Sequence, residues 1–279
     1  MQSERVWWVT GAASGLGRAV VDEVLARGQR VVAFARNAAR LDRWVGESGG
    51  RALAIELDMD DTRAIERASA RALAHFGRVD VLCNNAGYGI LGAVEEVSDA
   101  EARAQMETNF FGALTMTRCA LAAMRPRRYG RILQVSSVAG FHASVGFGLY
   151  NASKFALEGF SEALALESAH LGIRVVIVEP GPYRTGFAGA ALRRAELRIP
   201  DYQTSVGTME QRMASLHGSQ PGDPLKAARV MFDVAELAEP PLRLPLGRYA
   251  HERLAQKIAW LTRDAEAMKS TSLPTEFGD

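Results

Sequence analysis

The sequence predicts an α/β protein built on a doubly wound parallel sheet. Short β-rich runs alternate with longer helix-patterned ones from residue 5 to about residue 180. The strand runs are near-continuous Val, Ile and Leu rather than alternating apolar and polar, the mark of strands covered on both faces. With 279 residues, 48% of them hydrophobic and 23% charged, the chain is long enough to enclose such a sheet in one domain spanning 1–279. Strand–helix alternation of this kind implies right-handed crossovers.

Taken in order, "RVWWVT" (5–10) reads as the first strand and 15–28 as the first helix. "RVVAFA" (30–35) is a strand followed by a short helix over 38–46. "RALAIEL" (51–57) is the third strand, 61–76 a helix, and "VDVLCN" (79–84) the fourth strand. A long helical pattern covers 99–125 and is closed by Pro126. "GRILQVS" (130–136), a helix over 149–171 and "IRVVIVEP" (173–180) complete the regular alternation. Then the rhythm breaks. Residues 182–221 are rich in Pro and Gly, with one helical stretch near 208–216, and read as an inserted substrate lid. A helix over 223–237 and a last strand over 242–247 follow, and Pro245 suits that strand to the sheet edge. Residues 249–266 are helical, and the end of the 249–279 tail, from about 269, reads as frayed.

Composition excludes several classes. A formal net charge of +1 gives no bulk electrostatic case for nucleic acid or membrane partners. Cys83 and Cys119 cannot build a disulfide framework, and as small core residues they fit a reducing cytoplasm. Glu4 and Arg5 run straight into a short apolar strand instead of a signal peptide, and no run approaches the ~20 apolar residues of a membrane span. No His, Cys and Asp spacing suits a zinc site, and no nucleophile elbow is present.

"TGAASGLG" (10–17) joins the first strand to the first helix. Gly11, Gly15 and Gly17 lack a Cβ, so a pyrophosphate could approach the backbone while the helix N-terminus offers free N–H groups. This Rossmann-type placement carries the inference, since the spacing G-x-x-x-G-x-G differs from G-x-G-x-x-G. About 20 residues past such glycines a carboxylate would bind the ribose of NAD(H). Here Ala35 and Arg36 stand instead, so a 2′-phosphate is not repelled and Arg36 can pair with it. NADP(H) is therefore favoured over NAD(H). Asp58, ending the third strand, could accept from the adenine amine or cap the helix that starts at Asp61.

In "LYNASKFALEG" (149–159), Tyr150 and Lys154 stand four apart and share one helix face. A phenol beside an ammonium is drawn toward phenolate, and such a pair can exchange a proton with an alcohol oxygen. Other pieces converge on the carboxyl rim of the sheet, where open α/β sheets bind ligands. Ser137 lies thirteen residues before Tyr150 at the end of "QVSSVAG", "NNAG" (84–87) ends the fourth strand, Asn109 sits inside the long helix, and "EPGPYRT" (179–185) ends the sixth strand.

Together these motifs, in this order, resemble the short-chain dehydrogenase/reductase family over residues about 5–190. "YNASKFALEG" also looks like family members acting on steroids and retinoids. The resemblance implies seven strands in the order 3-2-1-4-5-6-7. It implies Tyr150 as general acid/base, Lys154 lowering its pKa and binding ribose, Ser137 on the substrate oxygen, and Asn109 holding a water that links Lys154 to solvent. Ser136 stands well behind Ser137. Gly11, Ser14, Gly15, Leu16 and Gly17 would cradle phosphates, Asp58 and Met59 flank adenine, and Asn85, Ala86 and Gly87 border ribose. Pro180, Gly181, Tyr183 and Thr185 would meet the nicotinamide side.

The expected function is interconversion of a secondary alcohol and a ketone or aldehyde by hydride transfer. Tyr88, Phe141, His142, Phe147 and Phe187 are candidates to line a pocket for a small apolar alcohol or ketone. A cofactor-binding regulatory protein on the same fold is the alternative, and an epimerase-like use of the same residues a third. Family practice implies a homodimer or homotetramer formed through the helices near 99–125 and 149–171.

Overall fold

The computed structural model describes residues 4–189 and 191–277, so Ala190 of the lid and both ends of the 1–279 span lie outside the described residues. One sheet is formed by β1 (Val6–Thr10), β2 (Arg30–Ala35), β3 (Ala52–Glu56), β4 (Val81–Asn84), β6 (Gly130–Val135), β7 (Ile173–Pro180) and β9 (Arg243–Leu246). All pair in parallel, in the order β3-β2-β1-β4-β6-β7-β9. With the two short strands β5 (Gly89–Leu91) and β8 (Leu192–Arg194) set aside, this is the expected 3-2-1-4-5-6-7.

Strand β1 shows why its residues are uniformly apolar. Trp7 and Val9 enter one layer of the core, Val6 and Trp8 the other. The Trp7 ring stacks on Phe232 of α8 (Pro224–Glu236) with centroids 5.3 Å apart, and Trp8 meets Phe34 edge-on at 5.8 Å. Each such side chain contributes roughly 1.5–3 kcal/mol by burial. The first layer is closed by α1 (Gly15–Ala26), α2 (Asp42–Glu47) and α8. The second is closed by α3 (Thr62–Phe76), α5 (Gly112–Met124) and α6 (Gly148–Ser168). At the amino rim, buried Asp80 accepts from Val6 N at 2.9 Å, Arg78 at 2.6 Å and Arg127 at 2.5 Å, tying the ends of β1 and β4.

The expected helix over 99–125 is interrupted. Helix α4 (Asp99–Met106), opened by the Ser98–Glu101 capping box, passes into a π-helical turn over Glu107–Phe111 before α5 begins. Asn109 lies in that turn. Gly112 follows it because the Met59 carbonyl occupies the space a Cβ would need. Such a turn inserts one residue into the helical ladder, as happens frequently at functional sites.

The lid also departs from a simple loop-and-helix. Strand β8 pairs in parallel with β5, Gly89 opposite Leu192 and Leu91 opposite Arg194, before α7 (Thr208–Leu216). Three-residue strands are too short to show periodicity. Pro245 lies on the outer strand β9, as expected. Of the tail expected to fray from 269, α9 (Arg248–Ser272) takes in the first four residues, since Ala, Glu, Met and Lys are strong helix formers, and 273–277 lie beyond it. Among the described residues no helix is long and apolar enough to cross a membrane.

Candidate active site

The strand order reverses between β1 and β4, and the crevice at that switch point is braced by bonds between side chains and backbone. Thr10 Oγ1 accepts the N–H groups of Asn85 and Ala86, both at 3.0 Å. The Asn85 side chain donates back to Thr10 O at 3.0 Å and Gly11 O at 3.3 Å. Asn85 is thus a strut for the glycine turn. Gly11 (φ 66°) and Gly15 (φ 55°) adopt the left-handed region that favours glycine. A Cβ on Gly11 would sit 2.9 Å from Asn85 Nδ2, and one on Gly17 would sit 2.6 Å from Gly11 O.

Ser14 precedes α1 in extended geometry and Leu16 anchors the first turn in the core. The Thr185 side chain closes over Gly15, with its Cβ 3.2 Å from the position a Gly15 Cβ would take. Gly11, Ser14, Gly15, Leu16, Gly17 and Thr185 therefore converge on one open helix N-terminus, a cradle that fits a dinucleotide pyrophosphate. Arg36 is exposed just past β2, close enough to act on the Tyr88 hydroxyl together with Asp60. Asp58 is exposed and accepts Asp60 N at 3.2 Å. The cap of α3 is Asp61, which accepts Ala64 N at 2.9 Å, so the capping role weighed for Asp58 falls away. Met59 is buried against Gly112.

Tyr150, Lys154, Ser137 and Asn109 meet at the neighbouring part of the rim. Tyr150 is 7% exposed, its ring framed by Phe147 at 6.1 Å and Phe187 at 5.4 Å. Leu91, Leu192, Met209 and Met213 complete this apolar cluster. In the structure Lys154 is not the group that draws the Tyr150 phenol toward ionisation. Burial pushes the Tyr150 phenol up to about 12, and the opposing pull comes from the Ser137 hydroxyl. The Lys154 Nζ lies 6.0 Å from the ring centroid and donates instead to Val135 O at 2.8 Å. Burial also pushes Lys154 down to about 8, against the attraction of Glu158. Ser137 opens a tight 3₁₀ turn over Val138–Gly140, its Oγ accepting Ala139 N at 3.1 Å.

Asn109 joins the site through Gly87. A Cβ on Gly87 would lie 3.0 Å from Asn109 Oδ1 and 3.6 Å from Lys154 Nζ. The Asn109 amide is committed to protein groups: Oδ1 accepts Tyr88 N at 3.1 Å, and Nδ2 donates to Tyr88 O and Ser153 Oγ, each at 3.0 Å.

Other expected residues fall elsewhere. Pro180 closes β7 and Gly181 N donates to Leu246 O at 3.1 Å, which keeps both at the rim. The Tyr183 ring is partly buried, packing on Gly222 and Gly247 and against the α1–α8 layer. Phe141 packs with Val138 and Ala250, and His142 bonds Gln256 at 3.2 Å and lies against Trp260 at 5.0 Å. Both belong to the docking of α9, not to the pocket around Tyr150. Ser136 donates to Glu158 at 2.6 Å and is likewise outside the pocket. Met209 and Met213 show one signal in retrospect, an i, i+4 pair on the lid helix; Leu91 and Leu192 show none. A cleft of about 580 Å³ beside the lid is lined by Glu96, Tyr202, Val206 and Glu210 among others, and by none of Ser137, Tyr150 and Lys154.

The fold and the rim define a dinucleotide-binding oxidoreductase. Residues 5–195 match the family described as short chain dehydrogenase, and the chain belongs to that family. It is 34% identical over 270 residues to an oxidoreductase of Botryotinia fuckeliana, covering 96% of this chain and 98% of that one. It is 32% identical over 254 residues to a 3-ketodihydrosphingosine reductase of Bacteroides thetaiotaomicron, covering 91% of each. A short-chain dehydrogenase from Streptomyces avermitilis superposes with a TM-score of 0.93 at 40% identity, over 99% of this chain and 100% of the other. A serine dehydrogenase complexed with NADP+ superposes at 0.74 with 26% identity, over 86% and 93%. The protein is an enzyme of the short-chain dehydrogenase/reductase type that uses a nicotinamide cofactor.

Proposed function

We propose that this enzyme uses NADP(H) to interconvert an apolar secondary alcohol and its ketone or aldehyde, with reduction as the favoured direction. The carrying observation is the buried Tyr150 phenol, flanked by Ser137 and enclosed by Phe147, Phe187, Leu91 and Leu192. A phenol held protonated is a proton donor. In the direction of reduction, Ser137 and Tyr150 would orient the carbonyl oxygen, and Tyr150 Oη–H would deliver the proton as the alcohol forms. Bound in the Gly11–Gly17 cradle, the dinucleotide would supply the hydride. Arg36, exposed beyond β2 at the place where a ribose-binding carboxylate would repel a 2′-phosphate, supports binding of that phosphate. Lys154, buried beside Gly87 and Asn109, supports the ribose and its charge. The apolar wall around Tyr150 supports an apolar ketone, in keeping with the relative named 3-ketodihydrosphingosine reductase. Exposed Phe111 and Leu166, in and near the helices flanking the site, support pairing of two copies.

The test is a panel of apolar ketones assayed with NADPH and NADH by nicotinamide absorbance. NADPH-dependent reduction is expected, falling by roughly 10²–10⁴-fold in Tyr150→Phe. Tight NADPH binding with no ketone turned over would instead support the regulatory reading.

A further inference from the structure

Below the reacting groups lies a cluster of charge that the proposed chemistry does not use. Glu158 stands one helical turn past Lys154 on α6, and both are nearly sealed, at 3% and 4% exposure. The two side chains grip consecutive residues at the end of β6. Lys154 Nζ holds Val135 O at 2.8 Å, and Glu158 Oε1 accepts the Ser136 hydroxyl at 2.6 Å. The next residue is Ser137. Glycine is required at Gly140, because a Cβ there would land on Glu158 Oε1 and Ser136 Oγ.

Three carboxylates share one guanidinium behind this grip. Arg243 Nη1 of β9 bonds Glu158 Oε2 at 2.7 Å and also Glu179 Oε1 of β7. Its Nη2 bonds half-exposed Glu162 of α6. Glu179 is fully buried and its Oε2 finds no partner among the described residues. Burial and the nearby Glu158 charge push Glu179 up to about 7, and burial raises Glu158 as well. The groups facing Glu158 are thus Lys154 and Glu162 from its own helix, Ser136 from the β6 end, Glu179 from β7 and Arg243 from β9. An unpaired ammonium as deeply sealed as Lys154 would lose its proton to escape desolvation.

We propose that Glu158 is a positioning residue for the reaction: its carboxylate, held by Ser136 and Arg243, keeps Lys154 an ammonium and sets the end of β6 that carries Ser137. This rests on the proposed role of Tyr150 and Lys154, yet it can be read without any substrate. The chain has only four lysines, Lys154, Lys226, Lys257 and Lys269, so lysine Cε signals labelled with carbon-13 can be followed one by one against pH.

In the wild-type protein Lys154 is expected to titrate near 8. Glu158→Gln should move that titration to lower pH by about one unit or more. Ser136→Ala removes only the hydroxyl bond to Glu158 and should move it the same way by less, so it decides the matter if Glu158→Gln does not fold. An unmoved Lys154 titration in the variant that folds would overturn the proposal. If a ketone substrate is found, the alkaline limb of kcat/KM should move with the Cε titration. A shifted lysine with no turnover on any ketone would leave Glu158 as the lysine's counter-charge and sink the proposed activity alone.

Discussion

The glycine cradle and the lid face each other across one crevice and are held by different means. The cradle is a matter of backbone. Left-handed glycines shape its turn, the Thr10 and Asn85 side chains brace the turn from behind, and Gly11 and Gly17 leave no room for a Cβ. The lid is a matter of side chains. A three-residue strand pair, the Glu96 carboxylate accepting Ile199 N, and exposed ion pairs such as Arg194–Glu210 hold it over an apolar interior. The contrast teaches where variation is tolerated. A dinucleotide is a constant ligand and suits an over-determined pocket, whereas a lid of few bonds and many apolar contacts can change its substrate without disturbing the sheet.

The largest effect is expected at the amino rim of β1 and β4, the strands that carry the cradle at their other ends, where Asp80→Asn would leave two arginines short of a buried charge. A loss of roughly 3–5 kcal/mol is expected, read by denaturant unfolding. Burial by itself would raise the Asp80 carboxyl, but Arg78, Arg127 and the Val6 N–H outweigh it and hold it below the ordinary carboxylate range. Its contribution is therefore whole above that range and is lost as pH falls through the lowered native value, so acid should narrow the gap between wild type and variant. Gly17→Val comes next. Its side chain meets Gly11 O and the Asn85 amide, and about 1–3 kcal/mol of overpacking should appear with sharply weaker NADPH binding in a fluorescence titration. Gly186→Ala in the lid meets nothing within 4 Å and should change neither, which makes it the matched control.

Arg36→Asp tests the cradle's chemistry without touching its frame. Preference should move from NADP(H) toward NAD(H) by roughly 10–100-fold, measured as the ratio of kcat/KM values, and an unchanged ratio would remove the case for phosphate recognition. The smallest effect is expected in the lid. Glu96 accepts Ala93 N at 2.8 Å and Ile199 N at 2.9 Å. Glu96→Gln should raise KM by roughly fivefold with an almost unchanged melting temperature, and should quicken proteolytic nicking near Ile199. A stability loss as large as that of Asp80→Asn would erase the distinction between the two regions.

The cradle was also the more legible region. Gly11 and Gly15 announce themselves because a residue without Cβ is the natural occupant of their φ values. Tyr150 and Lys154 were legible because a spacing of four fixes a shared helix face whatever surrounds it. Tyr183 was not, since its direction depends on Gly222 and Gly247, which lie 39 and 64 residues further along the chain. Phe141 and His142 looked like pocket residues until α9 was seen to cover them. Glu158 extends the Tyr150 and Lys154 face by one more turn and was readable as position, but its two bonded partners are Ser136, just past β6, and Arg243 of β9.

By itself the sequence determined the strand–helix alternation of a parallel sheet, the glycine turn and the line of Tyr150, Lys154 and Glu158 along one helix, while the strand order came from the family resemblance. These follow from local periodicity and backbone preference, which act over a few residues. Only the tertiary structure decided that burial raises the Tyr150 phenol, that Ser136 and Arg243 hold the Glu158 carboxylate, and which apolar side chains close the pocket. Burial and Coulomb interaction depend on what distant segments bring within a few ångströms, and no spacing along the chain encodes that.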